Sequence, residues 1–298
     1  ARGPEIVVAT PGRLLDLMEQ RFVSLSDIEV FILDEADRML DMGFIHDVRK
    51  VIAKLPNKRQ TLFFSATLAP AVLELASTLV HDPIHVSITP DKPAVERIGQ
   101  KVYFVDQKSK DDLLGRLLEA KHWDRVIVFT QMKHVANKVV QKLEKLDISA
   151  AAIHGNKSQT ARTQALAGFK QGKVRVLVAT DIAARGIDVD GISHVINYDL
   201  PHTPEVYVHR IGRTARAGAN GDAVSFCSAT ERDFLRSIEH FIRKPIAVDT
   251  EHDFHSETAR TATGAAARPA PRGQQRNSMS GLSRQQSFSQ SRRAQGRS

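Results

Sequence analysis

Short apolar runs that end abruptly in polar residues recur along this chain. Val30-Phe31-Ile32-Leu33 is followed at once by Asp34-Glu35-Ala36-Asp37. Runs of about four apolar residues with such ends are typical of buried strands in a parallel sheet. The runs at 6–9 and 61–64 have the same form, and they end in Thr10 and in Ser65-Ala66-Thr67. The pattern therefore predicts three strands with polar residues at their ends.

Helical periodicity separates these runs. Thr10 suits an N-cap and Pro11 suits the first helical position, so a strand-to-helix junction is predicted there. Further helices are predicted over 45–55 and from about Pro70. The periodicity lapses between His81 and Gly99, where three prolines occur. This lapse predicts an interdomain linker over residues 83–99.

Apolar runs and helical segments alternate again after the linker. The predicted strands are 101–105, 125–129, 150–153, 175–178, 194–197 and 223–226. The predicted helices are 110–120, 133–146, 159–170, 204–211 and 231–241. Repeated β-α units of this size predict a doubly wound parallel sheet. The fold class is therefore α/β, with two parallel-sheet domains.

Composition changes this picture little in the body of the chain. The 298 residues are enough for about two domains, and 42% apolar content is ordinary for a globular protein. Within the 298 residues, no apolar run approaches the roughly 20 residues that span a bilayer, and none has the form of a charged-then-apolar leader. We expect a cytoplasmic protein without membrane contact. The only cysteine, Cys227, lies in an apolar run and is predicted to fill core space.

Charge is concentrated at the C-terminus. The net charge is +8, and residues 258–298 alone contain eight arginines with no lysine and no acid. This stretch is also poor in apolar residues, so residues 247–298 are predicted to form a disordered basic tail. Such a tail either tethers a polyanion such as RNA or only keeps the protein in solution, and the composition leaves both roles open.

The acids after the first strong strand carry candidate chemistry. Three carboxylates within four positions repel one another unless water or a cation screens them. Open α/β sheets bind ligands at the carboxyl ends of their strands, so Mg²⁺ is one interpretation of this cluster. The other is an acidic helix N-terminus, which the helix dipole favours. The residues alone leave both interpretations open.

A second group of polar residues follows the predicted strand that ends near residue 178. The run continues through Thr180 to Asp188, and His209 to Gly218 follows after a further 21 residues. Arg213 and Arg216 are three apart, and on one helical face two guanidiniums could converge on a phosphate. A solvated basic face would give the same spacing, so this alternative also stays open.

The order of these motifs resembles that of the DEAD-box ATP-dependent RNA helicases, which belong to superfamily 2. The Ala215 variant of the last motif and the Arg/Gln-rich tail resemble the bacterial RhlE-type branch. The motifs that carry the resemblance are 10–13 (TPGR), 34–37 (DEAD), 65–67 (SAT), 159–162 (QTAR), 179–188 and 209–218. Each is weak evidence alone, but six in the family's order are strong evidence.

This resemblance implies two RecA-like domains with ATP and Mg²⁺ as cofactors. Asp34 would hold Mg²⁺ through water, and Glu35 would orient or deprotonate the attacking water. Arg213 and Arg216 would act as arginine fingers across the cleft. The other implied positions are Asp37, coupling the two domains; Ser65 and Thr67, linking ATP state to RNA grip; Gly186 and Asp188, at the nucleotide and its ribose; and His209, bridging the cleft.

RNA is the partner that the resemblance implies. Its backbone would be held by Thr10, Pro11, Gly12, Arg13, Gln159, Arg162 and Thr180. Such contacts read phosphates and 2′-hydroxyls, so little sequence specificity should follow. The resemblance also implies a monomer, with ribosome-assembly or RNA-degradation proteins as partners.

One part of the family pattern is missing. The sequence contains no phosphate-binding loop of the form G-x-x-x-x-G-K-[ST]; Gly168 to Val174 has the wrong spacing. We therefore expect a truncated chain: 1–82 as the C-terminal part of the ATP-binding domain, 83–99 as linker, and 100–246 as the helicase C-terminal domain. The incomplete first sheet should expose apolar surface, and this chain alone should lack ATPase activity.

Two functions from different classes follow. The first is an RNA-dependent ATPase that locally unwinds short RNA duplexes. The second is a non-catalytic RNA-binding or scaffolding protein, which the missing loop favours. A metal nuclease that uses the acid cluster would leave the paired arginines unexplained.

Overall fold

A computed structural model describes residues 4–87, 97–120, 123–184, 189–215 and 220–269. The chain divides into two compact units, residues 1–88 and 89–298. The assignment of these stretches to particular helicase domains stays a prediction. Within the described residues, no helix has the length and apolar character needed to cross a membrane.

In its described residues, 4–87, the first unit contains two parallel strands and four helices. They are α1 (Pro11–Glu19), β1 (Val30–Leu33), α2 (Ala36–Asp41), α3 (Ile45–Ile52), β2 (Gln60–Phe63) and α4 (Pro70–Leu79). Strand β1 pairs with β2 in parallel, with Val30 opposite Gln60 and Leu33 opposite Phe63. The predicted elements α1, β1, α3, β2 and α4 are therefore confirmed in their order, whereas α2 was not among the predicted helices.

Only one face of this small sheet is well covered. Leu33 is buried in a core with Val48, Leu75 and Leu79. Side chains alternate across a strand, so Val30 and Ile32 point to the other face, where they are 48% and 57% exposed. The prediction that β1 is buried on both faces is wrong, and the expected exposure of apolar surface in this unit is confirmed.

The predicted strand at residues 6–9 is also wrong. These residues have no strand pairing, and Ile6 and Val8 are exposed. A strand requires a hydrogen-bonded neighbour, and among residues 4–87 β1 and β2 pair only with each other. An apolar run alone does not supply that partner.

The second unit is a parallel sheet between two layers of helices. Its strands are β3 (Ile98–Phe104), β4 (Val126–Phe129), β5 (Ala150–Ile153), β6 (Val176–Ala179), β7 (His194–Asn197), β8 (Gly221–Cys227) and β9 (Ala247–Val248). Its helices are α5 (Lys110–Ala120), α6 (Lys133–Glu144), α7 (Gln159–Lys170), α8 (Asp181–Ala184), α9 (Pro204–Ile211), α10 (Arg232–Phe241) and α11 (Glu257–Thr261). The strand order is β5-β6-β4-β7-β8-β3-β9.

Both faces of this sheet are buried. In β4, Val126 and Val128 pack in one apolar cluster, whereas Ile127 and Phe129 pack in another. Alternate residues of one strand thus face two cores, which explains why its sequence is continuously apolar. The predicted α/β fold with a doubly wound parallel sheet is confirmed, with each of the predicted strands and helices found within a few residues.

The prediction of disorder from residue 247 is wrong for residues 247–269, which we call the C-terminal segment. Strand β9 pairs in parallel with β3, and the Ser256 hydroxyl donates to Asp106 Oδ1 at 2.6 Å. Ala259 and Ala267 are buried, and Arg268 pairs with Asp233. A few small and apolar side chains suffice here because the open edge of β3 supplies hydrogen-bond partners. The rest of the predicted tail, 270–298, lies outside the described residues.

Candidate functional site

Two exposed carboxylates follow β1 at its carboxyl end. Glu35 is the N-cap of α2 and has left-handed backbone angles (φ 49°, ψ 46°), which are uncommon for a residue with a side chain. Its N–H donates to Asp34 Oδ1 at 2.8 Å, and Arg38 Nη1 lies 3.4 Å from Glu35 Oε1. The sharp turn projects both acids from the sheet edge.

The donor set suits a water-rich Mg²⁺ better than an enclosed metal. The described residues contain no group of three or more His, Cys, Asp or Glu side chains that could hold a metal ion. Mg²⁺ usually keeps several waters and binds through one or two carboxylates together with substrate phosphates. Exposed Asp34 and Glu35 meet that requirement.

The third acid of this cluster has a different environment. Asp37 is buried, and its Oδ2 accepts a hydrogen bond from the Thr67 hydroxyl at 3.2 Å. The Ser65 hydroxyl in turn donates to the Thr67 carbonyl oxygen at 2.7 Å. The structure thus brings together Asp37, Ser65 and Thr67 from the ends of β1 and β2, as adjacent parallel strands require. Asp37 is already occupied by protein donors.

The predicted RNA contacts of the first unit lie at the start of α1. Thr10 is the N-cap, but its side chain makes no capping hydrogen bond, and Pro11 is buried at the first helical position. Gly12 and Arg13 are exposed, and the Arg13 guanidinium pairs with Asp16 one turn later. The Arg13 guanidinium therefore lies at the surface, where it forms an ion pair with the Asp16 carboxylate.

The predicted RNA contacts of the second unit follow two neighbouring strands. Gln159 and Arg162 lie on the first turn of α7, after β5, and Arg162 Nη1 is 3.4 Å from Gln159 Oε1. Thr180 follows β6, which pairs with β5, and its N–H donates to the Ile153 carbonyl at 3.3 Å. These three residues therefore lie at the same edge of the sheet.

The prediction that Arg213 lies on a helical face is wrong. Helix α9 ends at Ile211 with Gly212 as its C-cap, so Arg213 lies in the following turn, whereas His209 lies in the last turn of α9. The chain after that turn packs closely against Gly221. A Cβ at position 221 would collide with the buried Thr214 side chain and lie 2.7 Å from the Ala215 nitrogen, so only glycine fits there. The predicted site residues Gly186, Asp188 and Arg216 lie outside the described residues.

Sequence reasoning missed a buried arginine with several hydrogen bonds at this edge. Arg210 is only 2% exposed. Its Nε and Nη2 donate to the two carboxylate oxygens of Asp181 at 2.6 and 2.8 Å. Its Nη1 donates to Asn197 Oδ1 at 3.1 Å and to the Asp199 carbonyl at 2.7 Å. Arg210 and Asp181 both stand in the motifs quoted above, but nothing in the spacing shows that they pair.

A buried ion cluster at the same edge was also missed. Lys110 is fully buried and donates to Glu231 Oε2 at 2.7 Å and to Asp199 Oδ1 at 3.2 Å. Burial alone would lower the pKa of this lysine, but the two carboxylates outweigh it and raise the pKa above its usual value. Lys110 is therefore charged at neutral pH, and it ties α5 to the segments after β7 and β8.

The comparisons with known proteins agree with this arrangement of sheets and motifs. The family model of the DEAD/DEAH box helicases matches residues 1–75, and that of the helicase conserved C-terminal domain matches residues 109–218. ATP-dependent RNA helicase RhlB of Pseudomonas syringae pv. tomato is 46% identical over 252 residues, which are 84% of this chain and 64% of that protein. The chain thus spans less than two thirds of the length of this relative.

Two solved structures give the same result. Yeast Dbp5 bound to RNA and ADP BeF3 is 32% identical with a TM-score of 0.72, and the match covers 80% of this chain and 64% of Dbp5. The Escherichia coli DEAD-box protein SrmB, bound to regulator of ribonuclease activity A, is 36% identical with a TM-score of 0.52. That match covers 54% of this chain and 95% of the SrmB chain in that structure.

The fold and the motif positions define a helicase of the RecA-like class, with a seven-stranded parallel sheet in its second unit. Within that class, the chain belongs to the DEAD-box RNA helicase family, and its relatives include bacterial members.

Proposed function

We propose that the protein is an ATP-dependent RNA helicase, in which RNA-stimulated ATP hydrolysis is coupled to local unwinding of short RNA duplexes. The observation that carries this proposal is the position of the family motifs. The exposed acids follow β1, and the polar residues Gln159, Arg162 and Thr180 follow β5 and β6, at the sheet edges where α/β proteins bind ligands. ATP, Mg²⁺ and RNA are the proposed ligands.

For the nucleotide, the proposal gives each unit a separate task. Asp34 would hold Mg²⁺ through water, and Glu35 would orient or deprotonate the water that attacks the terminal phosphate. Mg²⁺ would neutralise charge on the phosphates when bound. Arg213 would stabilise the charge that develops on the transferred group, together with Arg216. Asp188 and Gly186 are proposed to contact the nucleotide, and His209 to connect the two halves of the site.

For RNA, the proposal relies on backbone contacts. Thr10, Gly12 and Arg13 in the first unit and Gln159, Arg162 and Thr180 in the second offer hydroxyl, amide and guanidinium groups, together with backbone N–H groups. Such groups suit phosphates and 2′-hydroxyls, so affinity should depend on salt more than on base sequence. Asp37, which accepts a hydrogen bond from Thr67, would couple the bound nucleotide to these RNA contacts.

One observation favours a second candidate for the 298 residues alone. They contain no G-x-x-x-x-G-K-[ST] loop, so on their own they are proposed to bind RNA without hydrolysing ATP. A scaffolding role would use the same proposed RNA contacts. A monomeric state and partners in ribosome assembly or RNA degradation remain predictions from the family resemblance, and a cytoplasmic location remains a prediction from the apolar pattern of the sequence.

The test is ATP hydrolysis with and without single-stranded RNA. It compares the protein encoded by the complete reading frame, its Glu35→Gln variant, and the 298-residue chain. The helicase proposal expects RNA-stimulated turnover from the first and a loss of at least about 100-fold in the variant, the usual contribution of a general base. RNA binding without turnover by all three would leave only the second candidate.

A further inference from the structure

We infer that Arg210, acting through Asp181, is a positioning residue for the RNA contact at Thr180. The inference rests on the proposed function, because it assumes that Thr180 contacts RNA. It goes further by assigning a role to two residues that are not themselves proposed ligand contacts and by stating how they act.

The geometry joins three strand ends through one guanidinium. Arg210 projects from α9 and makes both hydrogen bonds of a fork to Asp181, the first residue of α8 after β6. Its remaining two bonds go to Asn197 and Asp199, at the end of β7. Its Cζ lies 5.1 Å from the centre of the Phe129 ring, at the end of β4. A planar fork fixes both the distance and the orientation of a carboxylate, which an ammonium cannot do.

Thr180 is held on both sides by this arrangement. Its N–H donates to the Ile153 carbonyl, and its own carbonyl accepts from the N–H groups of Ala183 and Ala184, both at 3.0 Å. The second pair of bonds exists only while α8 stays in place. The fork binds Asp181, the first residue of α8, and so anchors the helix at the end that adjoins Thr180.

The same pairing also controls charge. Asp181 directly follows Thr180, and its side chain is one-third exposed, so without a partner it would repel an RNA phosphate there. Arg210 engages both of its carboxylate oxygens and offsets that charge. The two effects of removing Asp181 therefore oppose each other: the loss of a negative charge favours RNA binding, and the loss of the anchor weakens it. The sign of the change in affinity tells which effect dominates.

The experiment measures the affinity of the 298-residue chain for a fluorescein-labelled oligouridylate by anisotropy. It compares the wild type, Asp181→Asn, Thr180→Val and the double variant. The charge control is Asp190→Asn, which removes a negative charge from an exposed residue beside Arg125, at the amino-terminal edge of the same sheet. We expect each single variant to weaken binding about fivefold, as the loss of one hydrogen bond does. The double variant should bind no worse than Asp181→Asn alone, because Thr180 is already displaced.

Three results would overturn the inference. In the first, the two single effects multiply in the double variant, as for independent sites. In the second, Asp181→Asn binds as tightly as the wild type or more tightly, like the control. If Asp181→Asn does not fold, Arg210→Lys takes its place in the same cycle and is judged by the same criterion. In the third, a folded wild-type chain fails to bind RNA, which would also reject the RNA-binding part of the proposed function. The first two results leave that function intact.

Discussion

The buried Lys110 cluster allows a quantitative prediction about stability. Replacing Lys110 with Met keeps most of the side-chain volume and removes the ammonium. Glu231 and Asp199 then face each other without the cation that now lies 2.7 and 3.2 Å from them. Both keep some donors, since the Gln131 N–H bonds Asp199 and the Leu200 N–H bonds Glu231. Uncompensated buried charge is nevertheless the dominant change.

Breaking a buried ion pair by removing one partner costs about 3 to 5 kcal/mol. That is a large share of the roughly 5 to 15 kcal/mol by which a domain is stable. With an m value of about 2 kcal/mol per molar in urea, the unfolding midpoint should fall by roughly 1.5 to 2.5 M. The difference in midpoint between the wild type and the Lys110→Met variant should be smaller at pH 5 than at pH 8, because protonation of one of the two unpaired carboxylates removes their repulsion.

Urea unfolding followed by tryptophan fluorescence measures this directly. The chain contains one tryptophan, Trp123, which packs against the core of the second unit, so its signal reports that unit. The wild-type lysine should show no such pH dependence, because a lysine with a raised pKa contributes its stability in full below 10.5 and loses it only above. The control is Lys101→Met, whose exposed pair with Asp249 at 3.1 Å is worth less than about 1 kcal/mol. Equal midpoints for the two variants would refute the reasoning.

Three further predictions concern other parts of the chain. Burial, together with the neighbouring His255, lowers the pKa of His252, so the C-terminal segment should be most stable above pH 6.5 and less stable as the pH falls below it. Amide exchange at residues 249–261 should become faster at low pH in the wild type. The same pH dependence in the His252→Gln variant would contradict this prediction. Gly221→Ala should destabilise the second unit by about 1 to 3 kcal/mol because its Cβ meets a buried turn, whereas Gly155→Ala, with open space, should be nearly neutral in the same urea titration. Limited trypsin digestion should cut residues 1–87 well before the second unit, and equal resistance of the two would argue against an incompletely covered first sheet.

Much of the second unit could be predicted because its strands are buried on both faces. Runs such as 126–129 and 176–179 are continuously apolar, and the helices between them show a helical apolar period. The first unit was harder, since a short apolar run does not reveal whether a neighbour exists. Residues 6–9 look like the other runs but pair with nothing in the described part of that unit.

Composition failed at the C-terminal segment for a related reason. Averaged over forty residues, the arginines and polar residues dominate, and they hide the few side chains that fit the edge of β3. Val248 adds to the edge strand, and the backbone of Ser256 bonds to Phe104. Only the position of that open edge, which depends on the whole sheet, makes these residues structural.

The motifs of the candidate site could be found in the sequence, but the hydrogen bonds between their residues could not be predicted from it. The sequence presents several arginines near the end of α9, and it does not show which one is buried. Arg210 finds its partner 29 positions earlier, because β6 and β7 flank β4 in the sheet. Long-range pairing of this kind depends on strand order, which local spacing does not encode.

The strand order has a consequence for how the protein is made. Strand β3 begins the second unit, yet its neighbours are β8 and β9, so Ile98 pairs with Gly221 and Lys101 with Ala247. During synthesis, β3 therefore emerges from the ribosome more than a hundred residues before the strands that pair with it have been made. At about 5 to 20 residues per second, that interval lasts several seconds or more. Throughout it, the apolar run of β3 has no permanent partner, so a nascent chain of this protein should be a substrate for chaperones that hold exposed strands.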